Sequence, residues 1–204
     1  MTTERIRLLP LWLRLWHWTS AMLLLTLAAS GISLHFATPN SLLIPFRVAR
    51  EIHTIAGLIQ AASYVFFLSA NAASGNWRQY LSLRDGFACR AMVQARYYLW
   101  DIFQGKPQPY PATPDIKFNA LQQLIYALIM YLAMPILVVS GVLFLFPDSA
   151  PDHVMGVDGL LPLAMTHYMT AYCVFMFTLG HIYLATTGKT PTSLIRTMIT
   201  GWKE

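Results

Sequence analysis

The sequence predicts an all-α membrane protein, a transmembrane four-helix bundle, and three observations support this fold class. Of the 204 residues, 56% are hydrophobic and only 11% are charged, and the mean hydropathy of +0.48 exceeds that of ordinary soluble domains. Four apolar stretches could each cross about 30 Å of hydrocarbon as a helix rising ~1.5 Å per residue. The net charge of +5 comes from basic residues that lie mostly outside these stretches, as in the loops of membrane proteins, so no nucleic-acid partner is expected.

The expected spans cover about residues 11–36, 53–75, 121–146 and 159–187 of a single membrane domain, 1–204. The first stretch follows arginines as a signal peptide does, but its length and the lack of a clear cleavage site favour a retained helix. Pro135 is expected to kink the third helix. Residues 77–104 mix basic and aromatic side chains like an interfacial helix, and the proline-rich residues 105–114 are typical of an extended connector.

Basic residues predict the orientation of the chain. Twelve of the fourteen Lys and Arg residues lie before or at the start of the first span, between the second and third spans, or after the fourth. The first loop holds the other two, Arg47 and Arg50, whereas the third loop holds three aspartates and no basic residue. Because basic loops remain on the cytoplasmic side, both termini are expected in the cytoplasm.

Four histidines, His17, His53, His167 and His181, lie within or at the edge of the predicted spans, where ionisable groups are rare and usually functional. His167 and His181 are fourteen residues apart, so they share one face of the fourth helix at depths about 21 Å apart. Since successive helices alternate in direction, His53 should lie at the depth of His167, and His17 at the depth of His181. Two such pairs in a helical bundle could each give two axial imidazole ligands to a b-type haem.

Small residues are expected to line the slots for such porphyrin rings, because they let a ring approach the backbone. The candidates are Ser30, Gly31, Gly57, Ser140, Gly141 and Gly180. Arg14 lies one turn from His17 and is a candidate cofactor-binding residue, since its guanidinium could pair with haem propionates or extend to lipid headgroups. Nearby Trp12, Trp16 and Trp18 form either an interfacial belt or a surface for haem packing.

Two other interpretations of these histidines fit the sequence less well. A single histidine within a membrane can bond a carbonyl of a neighbouring helix, but four depth-matched histidines disfavour that explanation. A zinc or iron transporter would require carboxylates or thiolates beside the imidazoles, and the predicted spans contain no Asp or Glu. No role is assigned to His35 or His153, which have no partner in depth, or to Cys89 and Cys173, which form no CxxC or CxxCH motif.

A candidate quinone site lies at the start of the third helix, at the depth of His17 and His181. Asn119 and Gln122 are three residues apart and share a helical face, with Lys117 and Gln123 close in sequence. An amide and nearby water could donate hydrogen bonds and protons to a quinone carbonyl. The alternative is that Asn119 is an ordinary helix N-cap.

These motifs resemble the cytochrome b subunits of membrane-bound formate dehydrogenase, nickel-iron hydrogenase and thiosulfate reductase type complexes. The resemblance rests on His17-Trp18-Thr19 with residues 29–33, Arg50-Glu51-Ile52-His53 with Gly57, residues 117–122, the fourteen-residue histidine spacing and residues 198–201. Two positions depart from that family's pattern: Leu121 stands where glycine is frequent, and Gln123 where lysine is frequent.

The resemblance implies a diheme subunit of the bacterial inner membrane, an electron-transfer subunit of a quinone-linked oxidoreductase. It would pass electrons between the quinone pool and a periplasmic or membrane-associated redox partner. The haem on His53 and His167 would face the partner, and the haem on His17 and His181 would face quinone. Two further functions stay open: a stand-alone diheme cytochrome that exchanges electrons with a small molecule, and a haem-free membrane anchor for a peripheral enzyme.

Overall fold

The computed structural model describes residues 6–37, 44–81, 84–113, 116–154, 156–188 and 190–203. The helices are α1 Leu11–His35, α2 Phe46–Ala73, α3 Arg78–Leu81, α4 Phe87–Leu99, α5 Ala120–Leu128, α6 Met134–Leu143, α7 Leu160–Ala185 and α8 Ser193–Thr200. A π-helical turn, Ile129–Ala133, joins α5 to α6, and these three pieces form the third span. Within the described residues, four helices are long and apolar enough to cross a membrane: α1, α2, the third span and α7. The predicted helical bundle is confirmed.

The second helix begins earlier than expected. The sequence predicted a start at His53, but α2 begins at Phe46, directly after Pro45. Its added first turns carry charged side chains, including an exposed ion pair of 3.1 Å between Arg47 and Glu51 one turn apart. A search for charge-free stretches finds the apolar part of a helix and misses a charged extension of this kind.

The expected disturbance at Pro135 takes the form of the π turn. Proline has no backbone N–H and cannot donate to the carbonyl four residues earlier, that of Tyr131. The π turn ends two residues before Pro135, and the neighbouring carbonyl of Met130 accepts a hydrogen bond of 2.6 Å from Tyr64 Oη on α2. Contact with α2 therefore stabilises the irregular part of the third span.

The segment between the second and third spans forms α3, α4 and a short 3-10 helix, Asp101–Gln104, instead of one helix over 77–104. Residues 105–113 contain no helix or strand, as expected of a connector, whereas Pro114 lies outside the described residues. The guanidinium carbon of Arg90 on α4 lies 5.7 Å from the centre of the Tyr110 ring. This contact holds the connector against α4.

Two short strand pairs close the ends of the bundle. β1 (Ile6–Arg7) pairs antiparallel with β4 (Trp202–Lys203), and β2 (His153–Val154) pairs with β3 (Val157–Asp158) in the loop before α7. The first pair brings the two ends of the described chain together at one end of the bundle. Four spans put both ends of the chain on the same side of the membrane, in agreement with this pairing, and the cytoplasmic location of that side stays a prediction.

Candidate functional site

The structure brings the four candidate histidines together as two pairs. The ring centres of His53 and His167 lie 6.4 Å apart, and those of His17 and His181 lie 6.0 Å apart. These are the two pairs expected from depth along the helices. We call His53 and His167 the distal pair, because they lie at the end of the bundle away from the chain termini. His17 and His181 are the proximal pair.

The spacing within each pair fits an iron between two imidazoles. A metal–imidazole bond of about 2.0–2.1 Å and roughly 1.1 Å from a ring nitrogen to its ring centre put two such centres about 6.3 Å apart across one metal ion. Two imidazoles supply two ligands, and a haem brings the other four in its porphyrin. In the part of the chain that the structure describes, no group of three or more His, Cys, Asp or Glu side chains is arranged to hold a metal ion.

Each histidine of the distal pair contacts a serine on a neighbouring span. Nδ1 of His53 lies 2.9 Å from the hydroxyl of Ser30 on α1, and Nδ1 of His167 lies 2.8 Å from the hydroxyl of Ser140 on α6. Both serines are buried, with 0% and 3% of their surface exposed. Since Nδ1 of each ring is engaged, Nε2 is the nitrogen left to bind a metal.

The glycines expected to line the slots have different surroundings. A Cβ added to Gly31 or Gly141, the residues that follow the two serines, would come within 3.4 Å of a carbon of the distal histidine rings. A Cβ on Gly57 would make only an ordinary contact of 3.9 Å, and one on Gly180 would meet nothing within 4 Å. Gly31 and Gly141 therefore leave room for the imidazoles themselves.

The proximal pair is surrounded by aromatic rings. His181 stacks on Phe177, with ring centres 5.7 Å apart, and meets the ring of Tyr126 at 6.2 Å. His17 meets the edge of Trp18 at 5.3 Å. Nδ1 of His17 is buried and has no hydrogen-bond partner among the described residues. Packing of rings, and not a hydroxyl, positions these imidazoles.

Arg14 contacts the C-terminal tail. Its Nη1 donates a hydrogen bond to the carbonyl of Ile199 in the last turn of α8, where a cation is favoured by the helix dipole. Gly201 follows with φ of +83°, and a Cβ there would lie 3.2 Å from Arg14 Nε. That Nε is buried and has no hydrogen-bond partner in the described chain. One side of the guanidinium thus binds the tail, while Nε–H is left for another acceptor.

The tryptophans near Arg14 do not act as one belt. Trp16 stacks on Phe67 of α2 with ring centres 4.3 Å apart, and its Nε1 donates to the Ser63 carbonyl at 3.0 Å. Trp12 packs against the same core cluster. Trp18 is 40% exposed and contacts the proximal pair. Trp12 and Trp16 therefore join α1 to α2, and only Trp18 fits both interpretations made from the sequence.

Asn119 and Gln122 form a capping box at the start of α5. The Asn119 side chain accepts a hydrogen bond of 2.9 Å from the Gln122 backbone, and the Gln122 side chain accepts one of 3.2 Å from the Asn119 backbone. Asn119 Nδ2 also donates to Tyr98 Oη on α4 at 3.2 Å. Asn119 thus caps the helix, which was the alternative drawn from the sequence, and its amide keeps one further N–H.

Lys117 begins a chain of polar contacts into the bundle. Its Nζ donates to Asn76 at 3.0 Å, Asn76 donates to Asn71 at 2.8 Å, and Asn71 donates to Tyr131 on the third span at 2.5 Å. Burial lowers the pKa of Lys117 from its ordinary value. The candidate quinone site therefore has a cation beside it that releases a proton more readily than an exposed lysine.

The remaining histidines and the cysteines belong to neither pair. His35 stacks on Tyr168 with ring centres 4.5 Å apart, next in sequence to the distal ligand candidate on α7, and His153 lies in strand β2. Cys89 and Cys173 are exposed and form no disulfide. None of these four was assigned a role from the sequence.

The hydrogen-bonding role of the two serines was missed from the sequence, which identified them only as small residues. A signal was present: residues 27–31 and 137–141 share the pattern L-x-x-S-G. The two copies lie on the spans that precede the helices of the distal histidines. A repeat of this kind across two helical hairpins indicates that both hairpins use the same local contact.

The comparisons with known proteins show the family to which the chain belongs. The model of the family described as prokaryotic cytochrome b561 matches residues 8–201. The chain is 38% identical over 199 residues to "Putative cytochrome YdhU" of Escherichia coli (strain K12), an alignment that covers 98% of this chain and 75% of that protein. No solved structure matches the chain. The family match over nearly the full length and the relative at this identity show that the chain belongs to the prokaryotic cytochrome b561 family, whose members are transmembrane b-type haem electron-transfer proteins.

Proposed function

We propose that this chain transfers electrons across the membrane through two b-type haems, between a redox partner at the distal end and quinone at the proximal end. His53 and His167 hold one haem, and His17 and His181 hold the other. The observation that carries this proposal is the separation of 6.4 and 6.0 Å between the paired ring centres. Both values match two imidazoles on one iron, at two depths of the same bundle.

The haem supplies reversible one-electron chemistry at iron, and the chain supplies the ligands, their spacing and an apolar surrounding. Neutral imidazoles are required for iron binding, and the apolar membrane interior disfavours their charged form. The two histidines of α7 fix the depth of each site, since one rigid helix carries a ligand for both. The rise of about 21 Å between them along α7 distributes the two sites across the membrane.

We propose that quinone binds beside the proximal pair, near Asn119 and Gln122. Asn119 donates one amide N–H to Tyr98, so its second N–H is available to a quinone carbonyl. The Lys117 ammonium donates one hydrogen bond to Asn76 and has two further N–H groups that could supply a proton. The lowered pKa of Lys117 favours that transfer.

A partner at the distal end is supported by the charge of the third loop. Asp148, Asp152 and Asp158 lie there, and residues 147–158 include no Lys or Arg. An acidic surface next to the distal pair would attract a partner with a basic surface and speed their encounter. We propose a periplasmic or membrane-associated redox subunit for this position, with the termini cytoplasmic in the bacterial inner membrane.

The deciding experiment is haem determination on the chain purified from membranes, followed by reduction with a quinol analogue. We expect two low-spin b haems per chain with bis-histidine spectra, both reducible by quinol. A ratio of one haem per chain would contradict the two-site proposal, and a haem-free protein would support the anchor. Full electron transfer from quinol to a small oxidant by the isolated chain, with no partner subunit, would favour the stand-alone cytochrome.

The proposed orientation is tested separately with a C-terminal reporter. A reporter that is active only in the cytoplasm should be active when fused after Lys203, because twelve of the fourteen basic residues lie on that side of the proposed topology. Activity of a periplasmic reporter at the same position would reverse the roles of the two haems.

A further inference from the structure

We infer that Ser30 and Ser140 are paired positioning residues that hold both distal histidines with the proton on Nδ1, and that they thereby lower the reduction potential of the distal haem. The inference rests on the proposed function, since it concerns the haem held by His53 and His167. If the two buried serines only filled space in the core, their hydroxyl groups would have no function.

The direction of the hydrogen bonds follows from counting hydrogens at Ser30. Its Oγ lies 2.8 Å from the Thr26 carbonyl and 2.9 Å from Nδ1 of His53. A carbonyl only accepts, and a hydroxyl has one hydrogen, so the hydroxyl donates to Thr26. The other contact is then satisfied only if Nδ1–H of His53 donates to the serine oxygen. The reverse assignment would leave two oxygen lone pairs facing each other at 2.8 Å.

Ser140 repeats this arrangement on the other side of the distal site. Its Oγ lies 2.6 Å from the Ile136 carbonyl and 2.8 Å from Nδ1 of His167. The same count of hydrogens makes the imidazole the donor. Burial of both serines excludes bulk water as a competing partner. Both distal histidines would therefore present Nε2 to the haem iron, held by the same kind of contact.

The glycine after each serine makes this contact possible. Gly31 and Gly141 have no Cβ, and a Cβ on either would lie within 3.4 Å of a ring carbon of the histidine that the serine binds. Serine sets the rotation of the ring, and glycine gives the ring its space. The shared pattern of residues 27–31 and 137–141 thus gives the same contact of a serine and a glycine with a histidine ring at two places.

The expected consequence is electronic. An acceptor for the Nδ1 proton makes the imidazole a stronger donor at Nε2, which stabilises ferric iron and lowers the reduction potential. Two such acceptors act on the distal haem. For the proximal haem, Nδ1 of His17 has no hydrogen-bond partner in the described chain. The distal haem should therefore respond to loss of a serine hydroxyl, and the proximal haem should not.

The test is a redox titration of the holoprotein with Ser30→Ala, Ser140→Ala and the double variant. Ser20→Ala is the matched control, because Ser20 is also buried on α1 but its hydroxyl pairs with that of Ser63 at 3.2 Å. The distal haem is identified by its loss in His53→Ala. We expect each serine variant to shift the ferric-to-ferrous equilibrium of the distal haem toward the ferrous form by several-fold, up to about tenfold or 59 mV for one electron.

Conservative variants separate positioning from packing. Ser30→Thr and Ser140→Thr keep a hydroxyl and should keep the distal potential near that of the native protein. Loss of the distal haem in an alanine variant with retention in the threonine variant would also support the inference. An unchanged distal potential in the double variant, or an equal shift of both haems, would overturn it. Retention of both haems in His53→Ala would instead contradict the proposed haem ligands.

Discussion

The two histidine pairs differ in how the chain positions them. At the distal pair, each imidazole has a hydrogen bond to a buried serine and lies against a glycine of a neighbouring span. At the proximal pair, His181 packs between aromatic rings and Nδ1 of His17 has no hydrogen-bond partner in the described part of the bundle. One bundle therefore uses directional bonds at one end and ring packing at the other.

This difference fits the functions that we propose for the two ends. A hydrogen bond fixes ring rotation and protonation together, so it would pre-organise the distal site toward the redox partner that we propose. Aromatic packing tolerates small shifts of a ring, and the proximal pair lies near the mobile substrate that we propose, a quinone. The polar groups around the proximal site, including Arg14, Lys117 and Asn119, belong to helix ends and connections.

The largest expected effect is the selective loss of one haem. His53→Ala or His167→Ala should leave one haem per chain, because a single remaining imidazole cannot hold the distal iron in bis-histidine form. His17→Ala or His181→Ala should remove the proximal haem only. Haem-to-protein ratios and low-temperature spectra measure this outcome. If His181→Ala retained both haems, the assignment of one haem to each histidine pair would be wrong.

A smaller effect is expected from the glycines of the distal site. Gly31→Ala or Gly141→Ala inserts a methyl group within 3.4 Å of a histidine ring carbon, so the ring must move by a few tenths of an ångström to accommodate it. Distal haem occupancy should fall, and the electron paramagnetic resonance signal of that haem should shift as the imidazole rotates. Gly57→Ala is the control, since its Cβ would make only an ordinary contact of 3.9 Å. Equal losses in all three variants would show that helix packing, not ring placement, is affected.

The sequence predicted the four-helix architecture because that architecture depends mainly on local properties of the chain. Length and apolarity are local properties, so they identified four helices, and helical spacing with alternating direction identified the pairs by depth. The start of α2 was wrong by seven residues, because Arg47 and Glu51 extend the helix beyond its apolar part. The π turn depends on a contact with Tyr64 that no local pattern reveals.

The details of the site were less predictable. A hydrogen bond between Ser30 and His53 requires the relative rotation of two helices, which depends on all the side chains between them. The capping box of Asn119 and Gln122 is visible in sequence as two polar residues three apart, but the same pattern fits a ligand-binding pair. The pairing of β1 with β4 joins residues almost 200 positions apart, and neither strand has a signal of its own.

A still smaller effect is expected at Asn119, where helix capping and quinone binding can be separated. Asn119→Ala removes both the cap and the amide, whereas Asn119→Ser keeps a capping oxygen and removes the amide. We expect both variants to retain two haems and to exchange electrons with quinol about tenfold more slowly, roughly the worth of one directed hydrogen bond. Only the alanine variant should also lose stability, by about 1 kcal/mol.

Stopped-flow reduction by a quinol analogue and thermal unfolding measure these two outcomes. Gln122→Ala keeps the capping oxygen of Asn119 and serves as the companion variant, since it removes the reciprocal bond of the capping box together with the second candidate quinone-binding side chain. If Asn119→Ser were reduced by quinol at the native rate and Asn119→Ala were less stable, Asn119 would act only as a helix cap. The quinone site would then lie elsewhere, and the distal haem would become the next candidate.

The smallest effect is expected at Arg14, which has two possible functions at the proximal end. Its Nη1 binds the carbonyl of Ile199 in the last turn of α8, and a cation at a helix C-terminus contributes about 0.3–1 kcal/mol. Its Nε–H is without a partner in the described residues and could pair with a haem propionate. Arg14→Gln should therefore loosen the tail, which hydrogen exchange would detect at Leu8, whose amide donates to the Gly201 carbonyl at 2.9 Å.

If Arg14 also neutralises a propionate, its loss removes positive charge beside the proximal haem and disfavours the added electron. The proximal potential should then fall slightly in Arg14→Gln while the distal potential stays constant. Arg47→Gln is the matched control, because it removes the same charge at the distal end from an exposed pair with Glu51. Faster exchange of the Leu8 amide hydrogen with an unchanged reduction potential of the proximal haem would show that Arg14 only holds the C-terminal tail. Other groups such as Lys117 would then have to balance the charge of the propionates.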